Sequence, residues 1–343
     1  MPANLAFFLA LAILVNDLSK AKIFFLFRLL ATAAILFALF KFIPYERIVL
    51  VYKDSKKGYL VLGFLILFLC QTIGIFRWKF LLSSLGVNIS ISEAFYTYFC
   101  GLFLNLFFPS FVAGDVFRSY CISYRYGDTG KVASSVLMDR FSGGIALTLI
   151  ALIAFIFGKN IVPSAGVGVA LFILCAIASF SSLVIFSKSF FRSLVKIFKK
   201  KPRFEEKLIS FHGKLYFFKK NPKVFVKSFL FSLPIQLLGA VAFFVISRAF
   251  GLSLNLIYFF IVIPIITAIV LVPITIAGAG MREASVVYFF SLVGIEESVS
   301  MGMSLVNLIF LISMGIIGGI FYVSIHHRWL QSRLPDKGSQ SLN

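Results

Sequence analysis

"PSFVAGDVFR" at residues 109–118 and "PITIAGAGMR" at residues 273–282 decide how this chain is read. Both follow the pattern Pro-x3-Ala-Gly-x3-Arg, and both interrupt long apolar runs. Proline ends an entering helix, small residues allow a turn, and the arginine starts the way back. The arms that follow, Gly114–Tyr126 and Met281–Val293, hold 13 residues each. At about 1.5 Å per residue such an arm spans about 20 Å, short of a hydrocarbon core of roughly 30 Å. The expectation is therefore two re-entrant broken-helix hairpins, with Pro109 and Pro273 as the helix breaks. Irregular backbone at that depth needs cover from protein or a water-filled cavity. For residues 92–126 a full crossing is the competing reading, and it reverses the orientation of the N-terminal third.

Composition supports a membrane setting. Of 343 residues, 60% are hydrophobic and only 13% charged, and mean hydropathy is +1.00. A soluble domain cannot hide that much apolar surface. The runs are continuous and lack the alternation of an outer-membrane barrel. They predict an all-α polytopic membrane protein with about six full spans, near 23–43, 58–76, 132–158, 163–187, 224–247 and 298–324. Residues 1–22 read as an N-terminal interfacial segment without a cleavable signal. Residues 23–324 read as one transmembrane domain and 325–343 as a cytoplasmic tail.

The formal net charge of +20 fits cytoplasmic loops and anionic lipid better than nucleic acid, because the cations flank the spans. Segment 188–223 carries twelve Lys and Arg against Glu205 and Glu206. That makes it a cytoplasmic loop that rests on an anionic leaflet or serves as a solvated topology anchor. Counting outward from it puts the C-terminus in the cytoplasm of a multi-pass inner-membrane protein. Loop 44–57 then lies outside despite Arg47, Lys53, Lys56 and Lys57. Scattered cysteines and the histidines His212, His326 and His327 form no ligand spacing, so no metal and no cofactor are expected.

The two motifs belong to a longer repeat. Gln71 and Gln236 are offset by 165 residues, Gly86 and Gly251 by the same, and Pro109 and Pro273 by 164. The units cover about 58–126 and 224–294. If the hairpins enter from opposite faces, the repeat is inverted, an arrangement that builds midplane sites in transporters.

Ionisable residues inside a membrane are functional candidates. Gly114, Gly278 and Gly280 permit the turns, and each return half-helix aims its positive dipole end at the interior. Arg118 and Arg282 then sit where a phosphate or carboxylate would dock, bound bidentately by a guanidinium fork. Asp115 would cap the first half-helix. Asn105, one turn before Pro109, would serve carbonyls freed by the proline or touch the ligand. Asp115, Asp139, Arg140 and Glu283 would balance charge or carry a coupling proton. The competing reading is that these charges only staple the bundle. Gln71 and Gln236 suit polar helix–helix contacts, and "FRWKF" at 76–80 suits an interfacial anchor. Walker, dinucleotide and GxSxG patterns do not occur.

"NLFFPSFVAGDVFR" (105–118), "SVLMDRFSG" (135–143), "VPITIAGAGMREA" (272–284) and "RWKFLLSSLG" (77–86) together resemble the lysylphosphatidylglycerol synthase transmembrane-region family. These are flippase-like membrane proteins, and the same module forms the flippase part of the multiple peptide resistance factor. The resemblance runs from about 23 to 324. It implies lipid translocation, with Asn105, Pro109, Gly114, Asp115, Arg118, Asp139, Arg140, Pro273, Gly278, Gly280, Arg282 and Glu283 on the family's motif positions. Ala113-Gly114 departs from an expected Gly-Gly pair. The lysyl-transferring enzyme needs a separate catalytic domain, and the polar tail at 325–343 implies that synthase activity is absent.

The expected activity is transport of an anionic phospholipid or polyprenyl-phosphate-linked lipid, bound by its headgroup at a midplane site. The alternatives are a membrane-embedded lipid-phosphate transferase or phosphatase, and a non-transporting scaffold in an envelope or glycosylation complex. A homo-oligomer or an envelope-biosynthesis partner stays open.

Overall fold

The computed structural model describes residues 18–43, 45–107, 113–158, 160, 165–195, 202–272, 274–275 and 278–331. Pro109, Pro273 and the side chains of His326 and His327 lie outside the described residues.

Thirteen helices occur among the described residues, with no strand. They are α1 Leu18–Phe42, α2 Tyr45–Asp54, α3 Lys57–Ser84, α4 Ile91–Phe107, α5 Ala113–Tyr126, α6 Thr129–Gly158 and α7 Ala165–Phe186. After them come α8 Lys188–Val195, α9 Pro202–Lys220, α10 Pro222–Ala249, α11 Leu256–Leu271, α12 Met281–Ser291 and α13 Glu297–Gln331. Helices α3, α6, α7, α10 and α13 are long and apolar enough to cross a membrane. The span expected at 23–43 lies in the 25-residue helix α1.

The segments between and after the spans are helical too. Loop 44–57 is largely a helix, α2, because Ile48 buries itself against Ile43 and Met301 while its charges face out. Segment 188–223 contains α8 and α9, which dock on the bundle through Val195, His212, Leu215 and Phe218. The His212 ring stacks on Phe191 at 4.0 Å. The last long helix runs to Gln331, past the expected tail boundary at 325.

The two short-helix pairs fold back on themselves. In the first, Glu93 at the start of α4 meets Arg125 at the end of α5 at 3.1 Å, and Gly101 lies on Gly114. In the second, the Tyr258 hydroxyl near the start of α11 donates to the Phe289 carbonyl near the end of α12 at 2.5 Å. Both are antiparallel hairpins. Their open ends point in opposite directions. Asp128, just beyond the first, pairs with Lys214 of α9 at 2.5 Å, so that hairpin opens toward the basic segment. The Lys56 N–H reaches the Ala249 carbonyl at 2.8 Å. This places the 44–57 end of the bundle beside the entry to the second hairpin.

Helices α3 and α10, which lead the two units, lie antiparallel with Gly63 on Ile246, Cys70 on Ile235 and Arg77 on Ser232. Cys70 and Ile235 are separated by the same 165 residues as Gln71 and Gln236. The two helices therefore cross at equivalent positions. Contacts elsewhere are exchanged in the same manner. Helix α4 packs on α13 and α11 packs on α6, while α5 packs on α6 and α12 on α13.

Small residues permit the closest of these contacts. A Cβ on Gly318 would lie 1.9 Å from the Phe99 carbonyl oxygen, and one on Gly114 would lie 2.2 Å from that of Gly101. Both obstacles are backbone. In hydrocarbon, helices associate by such close packing rather than by the hydrophobic effect.

Candidate functional site

Asp139 lies ten residues into α6, about 15 Å of helix rise from Thr129. It is 2% exposed. A carboxylate there needs partners, because an unpaired buried charge is costly. Two guanidinium groups supply them: Arg77 Nε donates to Oδ1 at 2.6 Å and Arg118 Nη2 to Oδ2 at 3.1 Å. Arg118 Nη2 also meets Asp115 Oδ1 at 2.9 Å. Asp115 Oδ2 in turn accepts from Arg140 Nε at 2.7 Å. The five groups form one chain, Arg77–Asp139–Arg118–Asp115–Arg140, drawn from α3, α5 and α6. Three bases face two acids.

Aromatic and small residues complete the setting. The Arg118 guanidinium carbon lies 4.7 Å from the Trp78 ring centroid and 5.2 Å from that of Tyr98, a favourable cation–π placement in a desolvated site. Its Nε and Nη1, and Trp78 Nε1, are buried without an acceptor among the described residues. Gly143 leaves room for Arg77, whose Nη1 would be 3.3 Å from an added Cβ. Arg77 Nη1 continues to Ser232 Oγ at 2.8 Å, and Ser232 and Ser228 donate to Ser142 Oγ at 3.3 and 2.9 Å. Gln236 Nε2 donates to the Gly143 carbonyl at 3.3 Å. A buried polar seam therefore joins α6 to α10 beside the ion cluster. The cluster opens to the surface at Arg140, whose side chain is 45% exposed.

The structure brings Asp115, Arg118, Asp139 and Arg140 together. Arg282 and Glu283 belong to the other hairpin, where both are buried. Glu283 Oε2 accepts from the Gly280 N–H at 2.6 Å and Oε1 from Ser304 Oγ at 3.2 Å. It thus caps its own half-helix, as a Glu in the first turn is suited to do. Gly278 and Gly280 both adopt positive φ, 69° and 83°, a conformation that glycine adopts without steric cost. Gly280 packs on Ile35 of α1.

Two local expectations are corrected. Asp115 sits inside the first turn of α5 and pairs with arginines, while Asn105 takes the capping role: its Oδ1 accepts from the Gly114 N–H at 2.7 Å. Asn105 Oδ1 therefore serves a donor across the hairpin.

"FRWKF" is not an interfacial anchor along its whole length. Arg77 is 7% exposed and Trp78 fully buried, because the α3–α10 crossing turns them toward Asp139 and Arg118. The missed signal is positional: Arg77 lies about two turns inside the C-terminal end of a 28-residue helix, deeper than an interfacial cation.

The model of the "Lysylphosphatidylglycerol synthase TM region" family matches residues 25–319. A protein of Methanothermobacter thermautotrophicus, described only as a "UPF0104 membrane protein", is 25% identical over 305 residues, covering 81% of this chain and 86% of that one. Another, "UPF0104 membrane protein MJ1595" of Methanocaldococcus jannaschii, is 30% identical over 105 residues, which cover 30% of this chain and 31% of the relative. The extent of the family match shows that the chain belongs to that family of membrane proteins.

Proposed function

We propose that this member of the lysylphosphatidylglycerol synthase transmembrane-region family is a flippase-like transporter. It moves an anionic phospholipid or a polyprenyl-phosphate-linked lipid across the cytoplasmic membrane. The observation that carries the reading is the ion cluster beside a broken helical hairpin, in which the buried Arg118 keeps two N–H donors without an acceptor among the described residues and Arg140 reaches the surface. A bundle held only by ion pairs gains little from leaving buried donors unpaired, since an unsatisfied buried polar group is the costly part. A site that receives a phosphate gains from it.

The exchanged packing of the two units, with equivalent helices crossing antiparallel, supports an inverted repeat. Such repeats let one half rock against the other around a fixed site. The basic α8–α9 segment suits the cytoplasmic side and an anionic leaflet, which would place the C-terminal tail on that side too.

Transport is favoured over bond chemistry. Asp115 and Asp139 are each clamped by two guanidinium groups, which leaves neither positioned as a base or nucleophile.

The test is proteoliposomes carrying a headgroup-labelled anionic lipid whose exposure is read by a membrane-impermeant quencher. The wild-type protein should equilibrate the label between leaflets, and Arg118→Gln should abolish this while the protein still folds. Arg282→Ala probes the second hairpin in the same assay. Equal label movement by wild type and Arg118→Gln would remove the site from the mechanism.

A further inference from the structure

After each hairpin an acid stands immediately before a long helix: Asp128 before α6 and Glu296 before α13. Each acid meets a base from a helix docked on that end of the bundle. Lys214 of α9 holds Asp128 at 2.5 Å, and Arg47 of α2 faces Glu296 at 3.8 Å.

The two ties differ in strength. The Arg47 and Glu296 side chains are 67% and 59% exposed, and an ion pair so long and so open contributes little. Those of Lys214 and Asp128 are 34% and 35% exposed. Asp128 also accepts from the Lys131 N–H at 3.0 Å, an N-cap bond of α6, and Gly130 leaves the room that the Lys214 side chain occupies.

Helix α9 has two further anchors. His212 Nε2 donates to the Val184 carbonyl at 3.0 Å and Lys219 Nζ to the Phe186 carbonyl at 2.8 Å. Both carbonyls belong to the last turn of α7, where helical partners run out. The buried Leu215 and Phe218 lie between these anchors in sequence. One helix thus ties the end of α7 to the start of α6. Two residues before Asp128, the Tyr126 hydroxyl donates to Glu93 Oε2 at 2.8 Å across the mouth of the first hairpin.

We infer that α9 is a strap that latches the first hairpin and the start of α6 at the basic end, while the opposite end, held by Arg47 and Glu296, is the weaker one and opens first. The inference rests on the translocation reading and adds its regulation. Asp139 and Arg140 ride on α6, so the strap sets how readily the helix that carries them can move. A tie made only in the latched arrangement depletes the released one by its own strength. Removing it should raise turnover, whereas loss of a merely structural contact would not.

The full chain is tested in proteoliposomes with the headgroup-labelled lipid. Lys214→Met should speed label movement about threefold, the size expected for a half-exposed pair, and Lys214→Arg should keep the wild-type rate. Arg47→Met should stay within about twofold of wild type. Asp128→Cys with Lys214→Cys, joined by a short bis-methanethiosulfonate, should stop movement until a reductant cuts the link, while the same reagent leaves the wild type active. Hydrogen exchange of the protein in detergent, followed by mass spectrometry, reads the strap without transport. Lys214→Met should exchange faster over α5 and the first turns of α6, and Lys214→Arg should not.

Label movement by Lys214→Met at or below the wild-type rate, or undiminished movement by the cross-linked protein, overturns the strap. Arg47→Met as fast as Lys214→Met overturns the unequal ends. If the wild type moves no lipid, translocation falls and exchange alone decides: faster exchange in Lys214→Met upholds the strap, and unchanged exchange overturns it.

Discussion

Asp139 shows how little a single residue type reveals by itself. Two arginines from different helices hold it, and removing one partner of a buried pair costs about 3–5 kcal/mol, whereas replacing both by apolar groups of similar shape is often close to neutral. Arg77→Met should therefore lower the thermal midpoint in detergent markedly, and Arg77→Met with Asp139→Leu should recover part of the loss. Thermal unfolding followed by circular dichroism checks both. Asp128 behaves differently because it lies outside the membrane-spanning part. Partial burial alone would raise its pKa, but the hydrogen bond from Lys214, the Lys131 N–H and the charges of both lysines outweigh this and hold it below the ordinary value. Its folded-state pKa lies below the unfolded value of about 3.9. Its contribution is therefore complete above the unfolded pKa and lost as the pH falls through the folded one. Lys214→Ala should flatten the acid limb of a stability–pH profile, measured by thermal shift.

At the scale of elements, the hairpins depend on contacts that exclude a side chain. Gly114→Ala would drive a Cβ into the Gly101 carbonyl, and Gly318→Ala would drive one into that of Phe99. Neither obstacle can rotate away, and overpacking costs roughly 1–3 kcal/mol even where neighbours yield. Both variants should lose thermal stability by at least that much. Gly144→Ala, which meets open space, should not, and the three measured side by side check the argument. The hairpins themselves were legible in the sequence as short arms after a Pro-x3-Ala-Gly break. The capping arrangements were not. Asn105 is nine residues from the N–H that it satisfies, a partner fixed by the fold-back rather than by local spacing. Glu283 stands three residues from Gly280, so its capping role was readable from spacing, yet its bond to Ser304 was not.

For the whole molecule, the opposed hairpins make a prediction about sidedness. In cells, Asp54→Cys and Glu296→Cys should react with a membrane-impermeant maleimide together. Tyr126→Cys and Lys220→Cys should react only after permeabilisation, as the proposed cytoplasmic placement of the basic segment requires. Labelling of all four from one face would break the opposed arrangement. The sequence by itself determined the all-helical membrane class, the two breaks and the 165-residue offset, because hydropathy, helix-breaking residues and repetition are properties of the chain read in order. The tertiary structure decided which charges meet. It brought Arg77 and Trp78, expected at the interface, into the buried cluster. It gave Glu283 to a helix cap, and it placed the repeat-equivalent residues Cys70 and Ile235 at one crossing. The physical reason is that a buried charge takes its partner from whichever helix packs opposite. Here that neighbour lies 62 residues away for Arg77 and Asp139, a distance that no local pattern encodes.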